Sequence, residues 1–160
     1  MTRESDEHRE IERKFLVRKL PDNLAAFPHA EISQGYLAIA EGGVQVRLRK
    51  NGAHHSLTYK RGAGNVREER EIALSAEQFS ALWPATQEKR LIKTRYKIPW
   101  GDRIIEIDLY GGRHEGLAVA EVEFEDEESA KNFGPPDWLG DDVTRDPRYS
   151  NQLIASPISD

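Results

Sequence analysis

Residues 9 to 17, Arg-Glu-Ile-Glu-Arg-Lys-Phe-Leu-Val, alternate charged and apolar side chains with a period of two, the pattern of a strand. Glu10, Glu12 and Lys14 fall on one face, with Ile11, Phe15 and Val17 on the other. The device recurs in order along the chain: Arg47/Arg49, Lys60 alone, Glu69/Glu71, Lys93/Arg95, Glu106/Asp108 and Glu121/Glu123. Any fold for this chain must give that charged face somewhere to point.

The rest of the chain reads as hairpins. Strands are expected near 9–17, 32–39, 44–50, 54–61, 66–74, 90–98, 103–110 and 117–124. Asn51-Gly52 suits a type I′ turn, which needs positive φ at both central residues. Gly62-Ala63-Gly64-Asn65, Pro99-Trp100-Gly101-Asp102 and Gly111-Gly112 are further turns. A short helix is expected after Pro21. Another starts at Ser75 with Gln78 in the capping-box position and ends at Trp83-Pro84. A third starts near Asp126, and the tail from Pro147 to Ala155 reads as a last helix. Eight hairpin-linked strands with a few short helices predict a mainly β fold, an antiparallel barrel or a strongly curved sheet. Residues 1–8 are polar and expected to be flexible.

The seven marked strands carry eight acids and six bases opposite their apolar residues. Isolated charges cost on the order of tens of kcal/mol in an apolar medium, so this face must meet water or a charged ligand. One reading is a solvated sheet face with the apolar side packed on helices. The other closes the sheet, so that the charges line a wet tunnel. Alternation alone does not distinguish inside from outside. The charges are nevertheless sorted by strand, and like charges at i and i+2 repel. Paired carboxylates suit Mg²⁺ or Mn²⁺, and clustered Arg and Lys suit a polyphosphate. Together they point to a metal–polyphosphate site.

At 160 residues the chain suits one domain, 1–160. Charged residues make up 32%, yet the net charge is only −5, without the basic excess of a nucleic-acid binder. There is no cysteine, which excludes disulfides and thiolate metal sites. No apolar run is long enough to span a bilayer, and a cytoplasmic protein is expected. The oligomeric state stays open, with a homodimer one option.

Glu10-Ile-Glu12-Arg-Lys14 resembles the ExExK signature of the CYTH superfamily, the triphosphate tunnel metalloenzymes. Gln34-Gly35-Tyr36-Leu37, Arg47 to Arg49, Thr58-Tyr59-Lys60, Glu69 to Ile72, Lys93 to Tyr96, Glu106-Ile107-Asp108 and Glu121 to Phe124 follow in the family's order. The length resembles the small bacterial members that hydrolyse inorganic triphosphate. The resemblance implies a closed eight-stranded antiparallel barrel with its charges inside and short helices packed outside. It implies that Glu10, Glu12, Glu121 and Glu123, with Glu106 and Asp108 completing the acidic half, hold Mg²⁺ or Mn²⁺, with Glu69 and Glu71 supporting. Lys14, Arg47, Arg49, Lys60, Lys93 and Arg95 would clamp phosphates. Lys93 or Lys60 is the expected base, and a Tyr–Lys pair like Tyr36 and Lys60 has that role in related thiamine triphosphatases. Some small members have a Lys in the tail where this chain has Ser150-Asn151-Gln152.

The implied activity is metal-dependent hydrolysis of triphosphate to pyrophosphate and phosphate. Alternatives are an adenylyl cyclase or a thiamine or nucleoside triphosphatase of the same superfamily, or a non-catalytic polyphosphate-binding module. His54 and His55 read as surface strand residues. Trp83, Trp100 and Trp138 read as packing and turn residues, and Arg13 and Arg18 as solvent-facing.

Overall fold

A computed structural model describes residues 8–62 and 65–156. The expected flexibility of residues 1–8 lies, His8 apart, outside the described residues, as does the middle of the turn at 62–65. The strands are β1 (Arg9–Val17), β2 (His29–Ala40), β3 (Val44–Asn51), β4 (His54–Arg61), β5 (Val66–Leu74), β6 (Arg90–Trp100), β7 (Arg103–Tyr110), β8 (Ala118–Phe124) and β9 (Leu139–Asp142). Their order is β5-β4-β3-β2-β6-β7-β8-β1-β9, and β1 also pairs with β5. That pairing closes eight antiparallel strands into a barrel, with β9 outside the ring.

β1 is the closing strand. Arg9, Glu10 and Ile11 face β5, and Ile11 to Leu16 face β8. Past Ile11, β5 gives up the edge of β1. Asn65 accepts from the Glu12 amide, and Val143, Thr144 and β9 take the rest. β9 is the strand that the sequence does not announce, since Leu-Gly-Asp-Asp has neither alternation nor β-propensity.

Two further boundaries differ from expectation. β6 runs through Pro99 and Trp100, not stopping at a turn there. The Lys97 amide donates to Pro28, the last bond from β6 toward β2, so the missing N–H of Pro99 falls on a free edge. The helix after Pro21 is only a 3₁₀ turn, Leu24–Ala26, and the tail divides into a 3₁₀ turn, Pro147–Tyr149, and a short α-helix. The α-helices are α1 (Ala76–Leu82), α2 (Glu127–Asn132) and α3 (Asn151–Ala155). α1 carries the expected capping box: Ser75 Oγ accepts from the Gln78 amide at 3.0 Å and Gln78 Oε1 accepts from the Ser75 amide at 2.9 Å. Asp126 caps α2.

The apolar core lies outside the barrel wall. Ile11, Phe15, Ile105, Ile107, Val122 and Phe124 point outward and are covered by Leu24, Ala130, Phe133 and Leu139. A second cluster closes one end of the lumen, where Tyr36, Leu91, Tyr110 and Val119 meet Ile154 and Ala155 of α3. Arg13 is a correction: it faces outward but not into open solvent. Its guanidinium meets Asp142 at 2.9 Å and donates to the carbonyls of Ala130 and Phe133, tying β1 to β9 and α2.

Candidate active site

On β1 and β8 both faces are buried, and most of the charged doublets point into the barrel. Glu12, Lys14, Arg47 and Lys93 are each at most 4% exposed. The cavity inside the barrel is lined by Glu10, Glu12, Glu69, Glu121 and Glu123 on the acidic side. Arg47, Arg49 and Arg95, with Tyr36, line it from β3, β6 and β2, while Lys14 and Lys60 sit among the acids, Lys14 3.6 Å from Glu121 and Lys60 3.0 Å from Glu10. The solvated-face reading is thereby replaced by the closed one.

Strand register explains the grouping. Glu12 lies opposite Glu123 across the β1–β8 ladder, an acid facing an acid, while Lys14 faces Glu121. Like charges directly opposite are destabilising in a sheet. Carboxylate oxygens of Glu10, Glu12 and Glu123 lie within 4.8 Å of one another. Lys60 Nζ donates to Glu10 Oε1 at 3.2 Å and lies 3.0 Å from Glu10 Oε2. The Glu12 carboxyl is pushed well above the ordinary range by burial and by the charges of Glu121 and Glu10. Burial and Glu10 also push Glu123 up. A crowded, dehydrated set of oxygen donors fits a hard divalent cation.

The basic wall is equally crowded. Burial, Arg47 and Arg95 lower the Arg49 guanidinium to about 10, and Arg47 Nε is buried without a partner. Arg49 donates to Gln34 Oε1 at 2.9 Å, and the Gln34 amide donates to the Tyr36 hydroxyl at 3.1 Å. Glu121 interrupts this wall. Burial would raise its carboxyl, but Lys14, Arg95 and Lys93 hold it well below the ordinary range.

Asp108 sits with the bases, apart from the Glu10–Glu12–Glu123 group, whereas Glu106 also acts on Glu123 and helps push its carboxyl up. Asp108 accepts from Lys93 at 2.6 Å and from Arg95 at 2.7 Å, and Glu106 lies 3.5 Å from Arg95. Lys93 is sealed behind this wall, its ammonium lowered to about 7 by burial against the pull of Asp108. Lys60 opens on the cavity. Tyr36 accepts from Gln34, and Lys60 donates to Glu10. Glu69 lies 4.0 Å from Lys60, and Glu71 accepts from Thr58 at 2.7 Å on the more exposed part of β5.

Two lining residues were not singled out from the sequence, Arg67 and Gln45. Arg67 and Gln45 share parity with Glu69 and Arg47, which was the signal for them. Ser150 and Asn151 arrive from the tail. There Lys14 Nζ donates to the Tyr149 carbonyl at 2.9 Å, and Tyr110 donates to Asn151.

A closed β-barrel whose lumen pairs a carboxylate group with a basic wall defines a tunnel protein for charged ligands. The CYTH domain model matches residues 8–150, and the chain belongs to the CYTH family. It is 43% identical over 152 residues to the inorganic triphosphatase of Nitrosomonas europaea, covering 93% of this chain and 98% of that one. It is 34% identical to the inorganic triphosphatase of Acetivibrio thermocellus, covering 93% and 95%. The crystal structure of the inorganic triphosphatase NE1496 superimposes with a TM-score of 0.69 at 39% identity, over 94% of this chain and 97% of that one. The PH1012 protein of Pyrococcus horikoshii shares the fold at 18% identity, with a TM-score of 0.59 over 76% and 83% of the two chains. No helix among the described residues is long and apolar enough to cross a membrane.

Proposed function

We propose that the chain hydrolyses inorganic triphosphate to pyrophosphate and phosphate, as one tunnel domain working in the cytoplasm. The observation that carries this reading is a carboxylate trio and a basic wall facing each other across one enclosed lumen. The relatives named inorganic triphosphatase support the substrate. Glu10, Glu12 and Glu123 would hold Mg²⁺ or Mn²⁺. A divalent cation bound there supplies charge neutralisation and Lewis acidity toward a phosphoryl oxygen. Lys14, Arg47, Arg49 and Arg95 bind and orient the phosphate chain, which matters because phosphoryl transfer depends on positioning and electrostatics. Lys60, on the cavity wall beside Glu10, takes the proton of the attacking water. Lys93 and Asp108 hold Arg95 in place from behind.

The test is phosphate release from triphosphate, with ATP and thiamine triphosphate in parallel, with Mg²⁺ and with chelator. Release of one phosphate per triphosphate, dependent on Mg²⁺ and far faster than from ATP, is expected. Cyclic AMP and pyrophosphate from ATP, or binding without turnover, would overturn the reading.

A further inference from the structure

Gln34 is a fully buried polar side chain that does not line the cavity, whereas both of its side-chain partners, Arg49 and Tyr36, do. β2 places it opposite Arg49 in register and two residues before Tyr36, on the same face. Its amide has one orientation open to it. Arg49 Nε and Nη2 approach one end at 3.1 and 2.9 Å. A guanidinium offers donors alone, so that end is the carbonyl oxygen. The other end is then the amide nitrogen, which also offers donors alone and lies 3.1 Å from the Tyr36 hydroxyl. The hydroxyl therefore accepts from Gln34, and its own proton points elsewhere. Gln34 is the only hydrogen-bond partner of that hydroxyl among the described residues.

The surroundings fix the ring that carries it. The register of β2 against β3 shifts between Tyr36 and Ala38, a bulge of the kind that re-aims a side chain beside a site. The Tyr36 amide donates to the Lys89 carbonyl at 3.0 Å, just ahead of β6. From outside, the 3₁₀ turn Trp83–Thr86 presses on the strand: a Cβ on Gly35 would stand 2.6 Å from the Thr86 side chain. The ring itself packs with Leu91, Tyr110 and Ile154. Burial raises its phenol against the pull of Arg47 and Arg49, so the group keeps its proton. With the ring held and one side of the oxygen taken by Gln34, the O–H is left facing the cavity that Tyr36 lines.

We propose that Gln34 is a positioning residue that fixes the Tyr36 hydroxyl as a hydrogen-bond donor into the lumen, toward an oxygen of the bound substrate. This rests on the proposed function and adds a direction to it: Arg49 orients Gln34, Gln34 orients Tyr36, and Tyr36 donates. A hydroxyl held this way does not take a proton from water, which leaves that step to Lys60. The test is a double-mutant cycle with triphosphate in Mg²⁺, placing Gln34→Glu in the wild-type and in the Tyr36→Phe background. A carboxylate of the same shape still accepts from Arg49, but it also accepts from Tyr36 and so turns the O–H away from the lumen. With Tyr36 present, Gln34→Glu is expected to lower kcat/KM about tenfold to a hundredfold, the effect of losing one hydrogen bond to a charged acceptor. The Tyr36→Phe background has already lost that bond, and there the same change should cost about threefold or less. A ratio of the two losses below about threefold, equal losses and no loss included, overturns the inference. Equal losses would mean that Gln34 acts on Arg49 alone. If Gln34→Glu does not fold by circular dichroism, Gln34→Met keeps the shape without either polar end and frees the hydroxyl to rotate. It should cost at least about threefold more with Tyr36 than in the Tyr36→Phe background, and equal losses there overturn the inference too. If wild type releases no phosphate, the proposed function fails on its own. Calorimetric binding of triphosphate to the same four chains in Mg²⁺ then decides Gln34, and equal changes in affinity in the two backgrounds overturn it.

Discussion

At the scale of single residues, the lumen trades stability for chemistry. Carboxylate oxygens of Glu10, Glu12 and Glu123 lie within 4.8 Å, and burial strengthens their repulsion. Glu12→Gln keeps the shape and removes one charge. The ligand-free protein should gain about 1 kcal/mol, read as a higher midpoint in thermal unfolding. The same variant should lose at least about a hundredfold in Mg²⁺-dependent phosphate release, and Glu12→Ala should abolish it with the circular dichroism spectrum unchanged. A variant that loses both fold and activity would mean that Glu12 is a packing residue. Lys60→Met should lower kcat about a hundredfold or more and alter KM less. A pure KM effect would return Lys60 to phosphate binding.

At the scale of elements, β9 shows what alternation omits. Four residues without pattern become a strand because Arg13, on the outer face of β1, reaches Asp142. Burial would raise the Asp142 carboxyl, but the Thr144 hydroxyl and amide, together with Arg13, hold it below its ordinary 3.8. Its folded value is depressed, so its contribution is present above the unfolded value and is lost as pH falls through the folded one. Asp142→Asn should cost about 0.5–1 kcal/mol at pH 7, allowing for screening at this half-exposed pair. The difference between the two chains should shrink in urea unfolding as pH falls below 3.8 and vanish once pH is below the folded value. The doublets, hairpins and helix caps were legible because each is written in a few adjacent residues. β9 and the placement of the tail depend on contacts more than a hundred residues apart, such as Arg13–Asp142 and Lys14–Tyr149. Arg67 was legible by parity, but its sign broke the like-charge pattern of Glu69 and Glu71.

At the scale of the whole molecule, apolar residues packed outside the wall leave the interior free for charge. The barrel is then held together partly by what it binds. Mg²⁺ with pyrophosphate at a hundred times Kd should add about 2.7 kcal/mol, raising the melting temperature by roughly 5–10 °C for a chain of this size. Chelator should abolish the shift, and a shift that persists in chelator would separate anion binding from the carboxylate trio. Closure also falls on one element. β1 precedes every strand it pairs with, and its partners β8 and β9 end at Phe124 and Asp142. During synthesis on the ribosome, β1 must wait for more than a hundred further residues before its second edge is covered. An uncovered strand edge invites pairing with other chains, and the charges of Glu10, Glu12, Arg13 and Lys14 discourage it. The signature that equips the tunnel thus also keeps the nascent chain apart from its neighbours.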